Sequence, residues 1–214
     1  MAQFFVIHPE SPQPRLIRQA AAMVRDGAVI VYPTDSCYAL GCNSSDKSAM
    51  ARILQIRGLD ENHYMTLMCR DLSELGRYAR VNNVQFRLLK NNTPGSYTFI
   101  LEATREVHKR LQNPKRNTIG IRTPDHPVAL ALLEELDEPL LSATLILQGD
   151  EHPLSDADEI RDRLDRRVDL VLDGGAVGLE MTTVIDLTGV TPVLVRRGKG
   201  NVAPFEIANL EIEK

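Results

Sequence analysis

Cysteine is scarce in this 214-residue chain, present only as Cys37, Cys42 and Cys69. An odd number of thiols in a chain this long argues against a disulfide framework and fits reduced thiols in a cytoplasm. Cys37 and Cys42 have no second pair and no histidine cluster beside them, so they read as buried structural thiols rather than a zinc site. Long apolar runs are missing too. The stretch Ala28 to Val31 with Tyr32 falls far short of the about 20 residues needed to cross a bilayer, so no membrane partner is expected. The opening MAQFFVIHPESPQ lacks a basic start, an apolar run and a small-residue cleavage site, so no secretory leader is expected. Positive charge is not in excess: 25 Lys and Arg against 29 Asp and Glu give −4, which offers nucleic acid no whole-surface attraction. Local patches stay open, from Arg105, Lys109, Arg110, Lys115 and Arg116, and from Arg196, Arg197 and Lys199. The first group reads equally well as solvated surface.

Standard catalytic signatures are also absent. The chain has no GxxxxGK[ST] phosphate loop, no strand-linked GxGxxG, no GxSxG elbow and no HExxH. Its five histidines are scattered, and GKGN at Gly198–Asn201 is too short for a dinucleotide fingerprint. No metal-ligand set is apparent.

What is present is an ordinary soluble composition, 43% hydrophobic and 25% charged. A chain of this size buries about 70% of the surface its unfolded form exposes, enough for a core of its own. Helix and strand patterns alternate. Leu16, Ala20, Met23 and Val24 repeat at helical spacing up to Gly27, and AVIVYP follows as a buried strand. Asp46 caps a helix closed by Gly58; Tyr64 to Cys69 reads as a strand; Asp71 and Asn83 open two short helices; Tyr97 starts the strand YTFILEA. TIGIR at Thr118 to Arg122 is a strand, HPVALALLEEL a helix with Pro127 in its first turn, and Leu140 to Leu147 strand-like. Ser155 with Asp158 fits a capping box for a helix through Leu164, and VDLVLDGG, TTVIDLTG and PVLVRRG read as three closing strands. Alternation predicts parallel strands joined by helices, while the closely spaced last strands predict antiparallel pairs. The expected fold class is α/β: a single domain with a twisted mixed parallel/antiparallel sheet and flanking helices, over residues 5–200, followed by a tail at 201–214 that is weak from Glu206 onward.

Polar residues gather where these strands end, which is where open α/β sheets bind ligands. AVIVYP runs into Thr34-Asp35-Ser36 and Tyr38, TIGIR ends on Arg122, Ser142 and Thr144 share one face of their strand, and PVLVRRG ends on Arg196. Four such endings favour a polar cleft.

The same residues carry a resemblance. YPTDSCYALGC at Tyr32–Cys42 resembles the YPTDTxYGLGC opening of the YrdC/YciO family, and PGSYTFIL from Pro94 resembles its PGPYTxIL strand. IRGL at Ile56 lies where that family has K-x-R, and TIGIRTPDHPVALALL, SAT, TTVIDLTG and VLVRRG follow in family order. The match covers about residues 5 to 200 and looks closest to the YciO branch. It implies a twisted mixed sheet with a basic concave face. Members of the family include threonylcarbamoyl-AMP synthases, which join L-threonine, bicarbonate and ATP, release pyrophosphate, and supply a group for an adenosine beside the tRNA anticodon; others are described as binding double-stranded RNA. Magnesium would then arrive mainly on the ATP phosphates. By this resemblance Thr34, Arg122, Ser142 and Thr183 would hold the amino acid, and Arg57, Thr118, Thr144 and Arg196 the nucleotide. Tyr38 reads either as a pocket wall or as a core tyrosine. Two positions depart from the pattern: Gln55 stands where K-x-R has its lysine, and Thr144 where S-x-N has its asparagine. They open an alternative, a nucleotide- or double-stranded-RNA-binding protein without synthase activity. The stretch GLDENHYMT blurs the alignment, so His63 has no assigned counterpart.

Overall fold

The strands and helices that the periodicity predicts form in that order, and three short strands, Gln3–Val6, Ala39–Asn43 and Ala79–Arg80, come in addition. The computed structural model describes residues 1–60, 63–113 and 115–205, so the tail expected from Glu206 to Lys214 lies outside it. Its strands are β1 (Gln3–Val6), β2 (Ile30–Tyr32), β3 (Ala39–Asn43), β4 (Thr66–Met68), β5 (Ala79–Arg80) and β6 (Tyr97–Ala103). They continue with β7 (Thr118–Arg122), β8 (Leu140–Thr144), β9 (Leu170–Asp173), β10 (Thr183–Asp186) and β11 (Val193–Arg196). Helices α1 (Pro14–Arg25), α2 (Lys47–Arg57), α3 (Leu72–Tyr78), α4 (Asn83–Asn92), α5 (Pro127–Leu136) and α6 (Ala157–Leu164) alternate with them. None of the described helices is long and apolar enough to cross a membrane.

One mixed sheet runs β1-β9-β2-β3-β8-β4-β7-β6-β10-β11, with β5 paired to β6. The pairs β1/β9, β2/β9, β4/β7 and β6/β10 are parallel; β2/β3, β3/β8, β4/β8, β6/β7 and β10/β11 are antiparallel. Side chains two apart share a face, and β2 shows the division. Ile30 and Tyr32 join α1 and α5 through Ile17, Ala20, Val24, Val128 and Leu132. Val31 points the other way, into the cluster that holds Ile53 of α2 and Ile160 of α6.

Local signals set most boundaries. Asp46 Oδ1 accepts from the backbone N–H of Ser48 and Ala49 at 2.8 and 3.0 Å, capping α2, and Gly58 ends it in the left-handed region that a side chain resists. Several expectations need correction. The cap of α6 is Asp156, whose carboxylate accepts from Glu159 N–H at 2.8 Å, not Ser155; the nearer acid takes the position. The helix expected to open at Asn83 is capped by Asn82, reciprocated by Gln85. Strand β8 stops at Thr144 instead of Leu147, because Ile146 N–H turns back onto Thr144 O. Of the three closing strands only β10 and β11 pair with each other; β9 lies between β1 and β2, where its wholly apolar Leu-Val-Leu run is covered on both faces.

Phe99 anchors the β6 side of the core. It is wholly buried, with ring centroids 5.7 Å from Tyr97 and 6.0 Å from Phe205. Phe99→Ala is expected to lower stability by ~3–5 kcal/mol in urea unfolding; a loss under about 1 kcal/mol would show that this cluster does not carry the core.

Candidate functional site

Period-two alternation also builds the floor of a cleft of about 400 Å³. Thr118, Gly120 and Arg122 of β7 face it, as do Thr98 and Ile100 of β6, Ser142 and Thr144 of β8, Thr66 of β4 and Val184 of β10. Thr34, Ser36 and Cys37 from the loop after β2 line it too, as do Arg57, at the end of α2, and Arg196 with Thr182; Cys37 lies near both of these arginines. The volume lies in the range of small-molecule sites.

The loop after β2 is held by its own polar groups. Thr34 Oγ1 donates to Cys37 O at 2.6 Å and accepts from the N–H groups of Ser36 and Cys37 at 3.2 and 3.3 Å. This turn aims Asp35 at Arg122, whose Nη2 donates to Asp35 Oδ1 at 2.5 Å, both side chains being only 7% exposed. Ser96 Oγ donates to the other carboxylate oxygen at 2.6 Å, and Arg122 Nη1 reaches Ser36 Oγ at 3.4 Å. Behind β8, the buried Tyr32 hydroxyl shares a 2.7 Å hydrogen bond with Ser142 Oγ. Burial pushes the Tyr32 hydroxyl well above the usual tyrosine range, so it stays protonated.

Charge in the cleft is one-signed. Four arginines line it (Arg57, Arg116, Arg122 and Arg196), and no Asp or Glu is among the described lining residues. Arg116 stands at the rim, 62% exposed, with Asp186 at 3.1 Å. Arg57 Nε donates to Ile146 O at 3.4 Å, and Arg196 donates to Thr182 O through Nε and Nη2 at 3.3 and 2.9 Å. Neither of these two makes an ion pair among the described residues. Burial lowers the pKa of both, and for Arg57 the neighbouring Arg196 lowers it further. Two partly desolvated cations with no counter-charge among the described residues make this part of the cleft a place for an anion.

The structure brings Thr34, Arg57, Thr118, Arg122, Ser142, Thr144 and Arg196 together in this cleft. Three other positions lie elsewhere. Thr183 points to the opposite face of β10, where its Oγ1 donates to Gly200 O at 2.7 Å and accepts from Gly198 N–H at 3.0 Å; Thr182 is the threonine on the cleft side. Gln55 is exposed and borders a separate depression with Gln148, Arg163 and Arg167. Tyr38 is a core tyrosine, its hydroxyl donating to Gly175 O at 2.7 Å. Sequence reasoning missed Thr66, Thr98, Asn113 and Thr182 and read Arg116 only as part of a basic patch; period-two alternation could have grouped Thr98 with Ile100, and Gly120 with Thr118 and Arg122, within their own strands. His63 stands at the rim.

A family model named Sua5/YciO/YrdC, described as "Telomere recombination", matches residues 22–198. The chain belongs to the Sua5/YciO/YrdC family. Escherichia coli YciO is 61% identical over 96% of this chain and 100% of its own, and its crystal structure superposes with a TM-score of 0.92 over the same shares. The threonylcarbamoyl-AMP synthase of Bacillus subtilis is 31% identical over 85% of this chain and 53% of its own length. Sua5 of Pyrococcus abyssi, crystallised with L-threonine, superposes with a TM-score of 0.83 at 27% identity, over 91% of this chain and 57% of that one. The chain thus spans little more than half of these Sua5-type proteins. Within the family fold, the doublet Thr182-Thr183 divides its work: one residue faces the cleft and the other pins the Gly198–Asn201 turn.

Thr183→Val tests that division. Its partners, the half-buried Gly198 N–H and the buried Gly200 O, would lose their hydrogen bonds, and stability is expected to fall by ~1–3 kcal/mol in urea unfolding. An unchanged midpoint would contradict the structural role.

Proposed function

We propose that this cleft holds a nucleoside triphosphate and a small amino acid together and joins them as an adenylate: with L-threonine, bicarbonate and ATP, threonylcarbamoyl-AMP. The observation that carries the reading is the cluster of four arginines in a cleft whose described lining has no acid. The family relation to threonylcarbamoyl-AMP synthases and the L-threonine in Sua5 support it.

The chemistry asks for no protein nucleophile. Bicarbonate takes up a proton and loses water to give carbon dioxide; the threonine ammonium gives up one proton, its amine adds to that carbon dioxide and sheds a second, leaving an N-carboxylate; an oxygen of this carboxylate then attacks the α-phosphorus while the bond to pyrophosphate breaks. Cys37, the one thiol on the cleft wall, is buried with its pKa pushed up mainly by burial, so it stays protonated and takes no such role. Rate comes from alignment and from offsetting phosphate charge. Arg57 and Arg196 stand for the phosphates, Arg122 for the amino-acid carboxylate, and the hydroxyls of Thr66, Thr98, Thr118 and Thr182 for phosphate or ribose oxygens. The donors do not fit a protein-ligated metal: the described lining offers no carboxylate, and no group of three or more His, Cys, Asp and Glu gathers among the described residues. Magnesium belongs with the triphosphate, as part of the substrate. RNA, as the final acceptor of the group, would meet local basic patches only, since the net charge is −4.

One departure from the synthase pattern lies in the cleft and the other outside it. Thr144 faces the site without the amide that S-x-N supplies, which favours a slow synthase or a binding-only protein. A hydrogen bond to a charged group is worth ~1.5–3 kcal/mol, about tenfold or more. Pyrophosphate release from ATP is therefore expected to be low, dependent on both L-threonine and bicarbonate, and raised roughly tenfold by Thr144→Asn. Gln55→Lys is expected to change nothing, and Arg196→Ala to abolish the release. Release that ignores threonine, or none in any variant, would contradict the synthase reading.

A further inference from the structure

The arginines of the cleft differ in how their charge is compensated. Arg57 and Arg196 donate to backbone carbonyls and, in the case of Arg196, also to Thr182 Oγ1. Arg122 has a carboxylate at 2.5 Å, and that carboxylate does not line the cleft. Asp35 stands behind Arg122, opening onto a separate shallow depression with Ser96 and Lys199. There Ser96 Oγ holds its second oxygen at 2.6 Å, and Lys199 Nζ donates to the Asp35 backbone carbonyl. A ligand at this corner therefore meets guanidinium N–H groups whose formal charge is cancelled from the far side.

We propose, resting on the function above, that Asp35 is a specificity-determining residue of the cleft: by compensating Arg122 it admits the single carboxylate of a zwitterionic amino acid to that corner and keeps phosphates and other multiply charged anions at the Arg57–Arg196 end. The physical reason is long-range. Hydrogen bonding to Arg122 depends on its N–H geometry, which Asp35 fixes, while Coulomb attraction depends on net charge, which Asp35 removes. A zwitterion loses little by this, because its ammonium is drawn to Asp35 as its carboxylate is repelled. A dianion of the same size arriving from solvent has no such offset, whereas the N-carboxylate of threonine forms only after the zwitterion is bound and turns its second charge toward the magnesium-bearing triphosphate. Asp35 also acts as a positioning residue, since its carboxylate and Ser36 together fix two donors of the guanidinium.

Calorimetry with L-threonine, succinate (a dianion of amino-acid size) and magnesium-ATP tests this on the full chain. In the wild type, threonine is expected to bind more tightly than succinate. Asp35→Asn keeps an oxygen acceptor and removes the charge, so the succinate-to-threonine affinity ratio is expected to rise roughly tenfold or more, while Asp35→Glu keeps the wild-type ratio. Ser96→Ala leaves the charge of Asp35 in place and is expected to keep the wild-type ratio; if Asp35→Asn does not fold, the wild type decides the matter, succinate being expected to bind no more tightly than its monomethyl ester. An unchanged ratio in Asp35→Asn, or a wild type that binds succinate roughly tenfold more tightly than the monoester, with threonine still bound, overturns the role of Asp35 and leaves the proposed function standing. A wild type that binds magnesium-ATP but not threonine defeats the proposed function, and this inference with it.

Discussion

Arg122 carries a permanent charge at the end of β7 with its side chain almost wholly out of water, and the carboxylate of Asp35 makes that position tolerable. Removing one partner of such a pair leaves an uncompensated buried charge, at a cost of ~3–5 kcal/mol. The pair ties three separate segments together. Thr34 folds the loop after β2 so that Asp35 points at Arg122, and Ser96, just before β6, fixes the carboxylate from the other side. The shape of this corner follows from that knot. So does its electrical neutrality.

Two further cations of the cleft follow the reverse principle. Arg57 arrives at the C-terminus of α2 and Arg196 at the end of β11, and neither is given an acid among the described residues. Around them lies a floor of hydroxyls supplied by alternate residues of neighbouring strands. The proposed reaction, with two substrates held in line, would use such a division: a compensated arginine for a zwitterion, and two without an acid among the described residues for a polyanion.

Much of this was legible in the sequence, and the failures have geometric causes. TIGIR and PVALALLEEL fall on β7 and α5 because their periodicity is clean and their boundaries are marked, the helix by Pro127. Six of the residues singled out at strand ends (Thr34, Ser36, Arg122, Ser142, Thr144 and Arg196) share one cleft, and Arg57 and Thr118, which the resemblance supplies, line it too. Thr183 was off by one position, and in a strand one position reverses the face, so a Thr-Thr doublet cannot be phased without the register to β6 and β11. Gln55 failed for the helical counterpart of that reason: it sits two residues before Arg57 on α2, and residues two apart on a helix face in different directions. Tyr38 could be a wall or a core residue until the Gly175 carbonyl was seen to take its hydroxyl. Asp35 was visible in sequence only as part of a polar turn; its partner lies 87 residues away.

A crystal structure of the protein with magnesium-ATP and L-threonine would test the account most directly. The triphosphate should lie against Arg57 and Arg196, and the threonine carboxylate on Arg122, with the Asp35 contact intact behind it. Phosphates bound at Arg122 with Asp35 displaced, or both ligands bound outside the cleft, would contradict it.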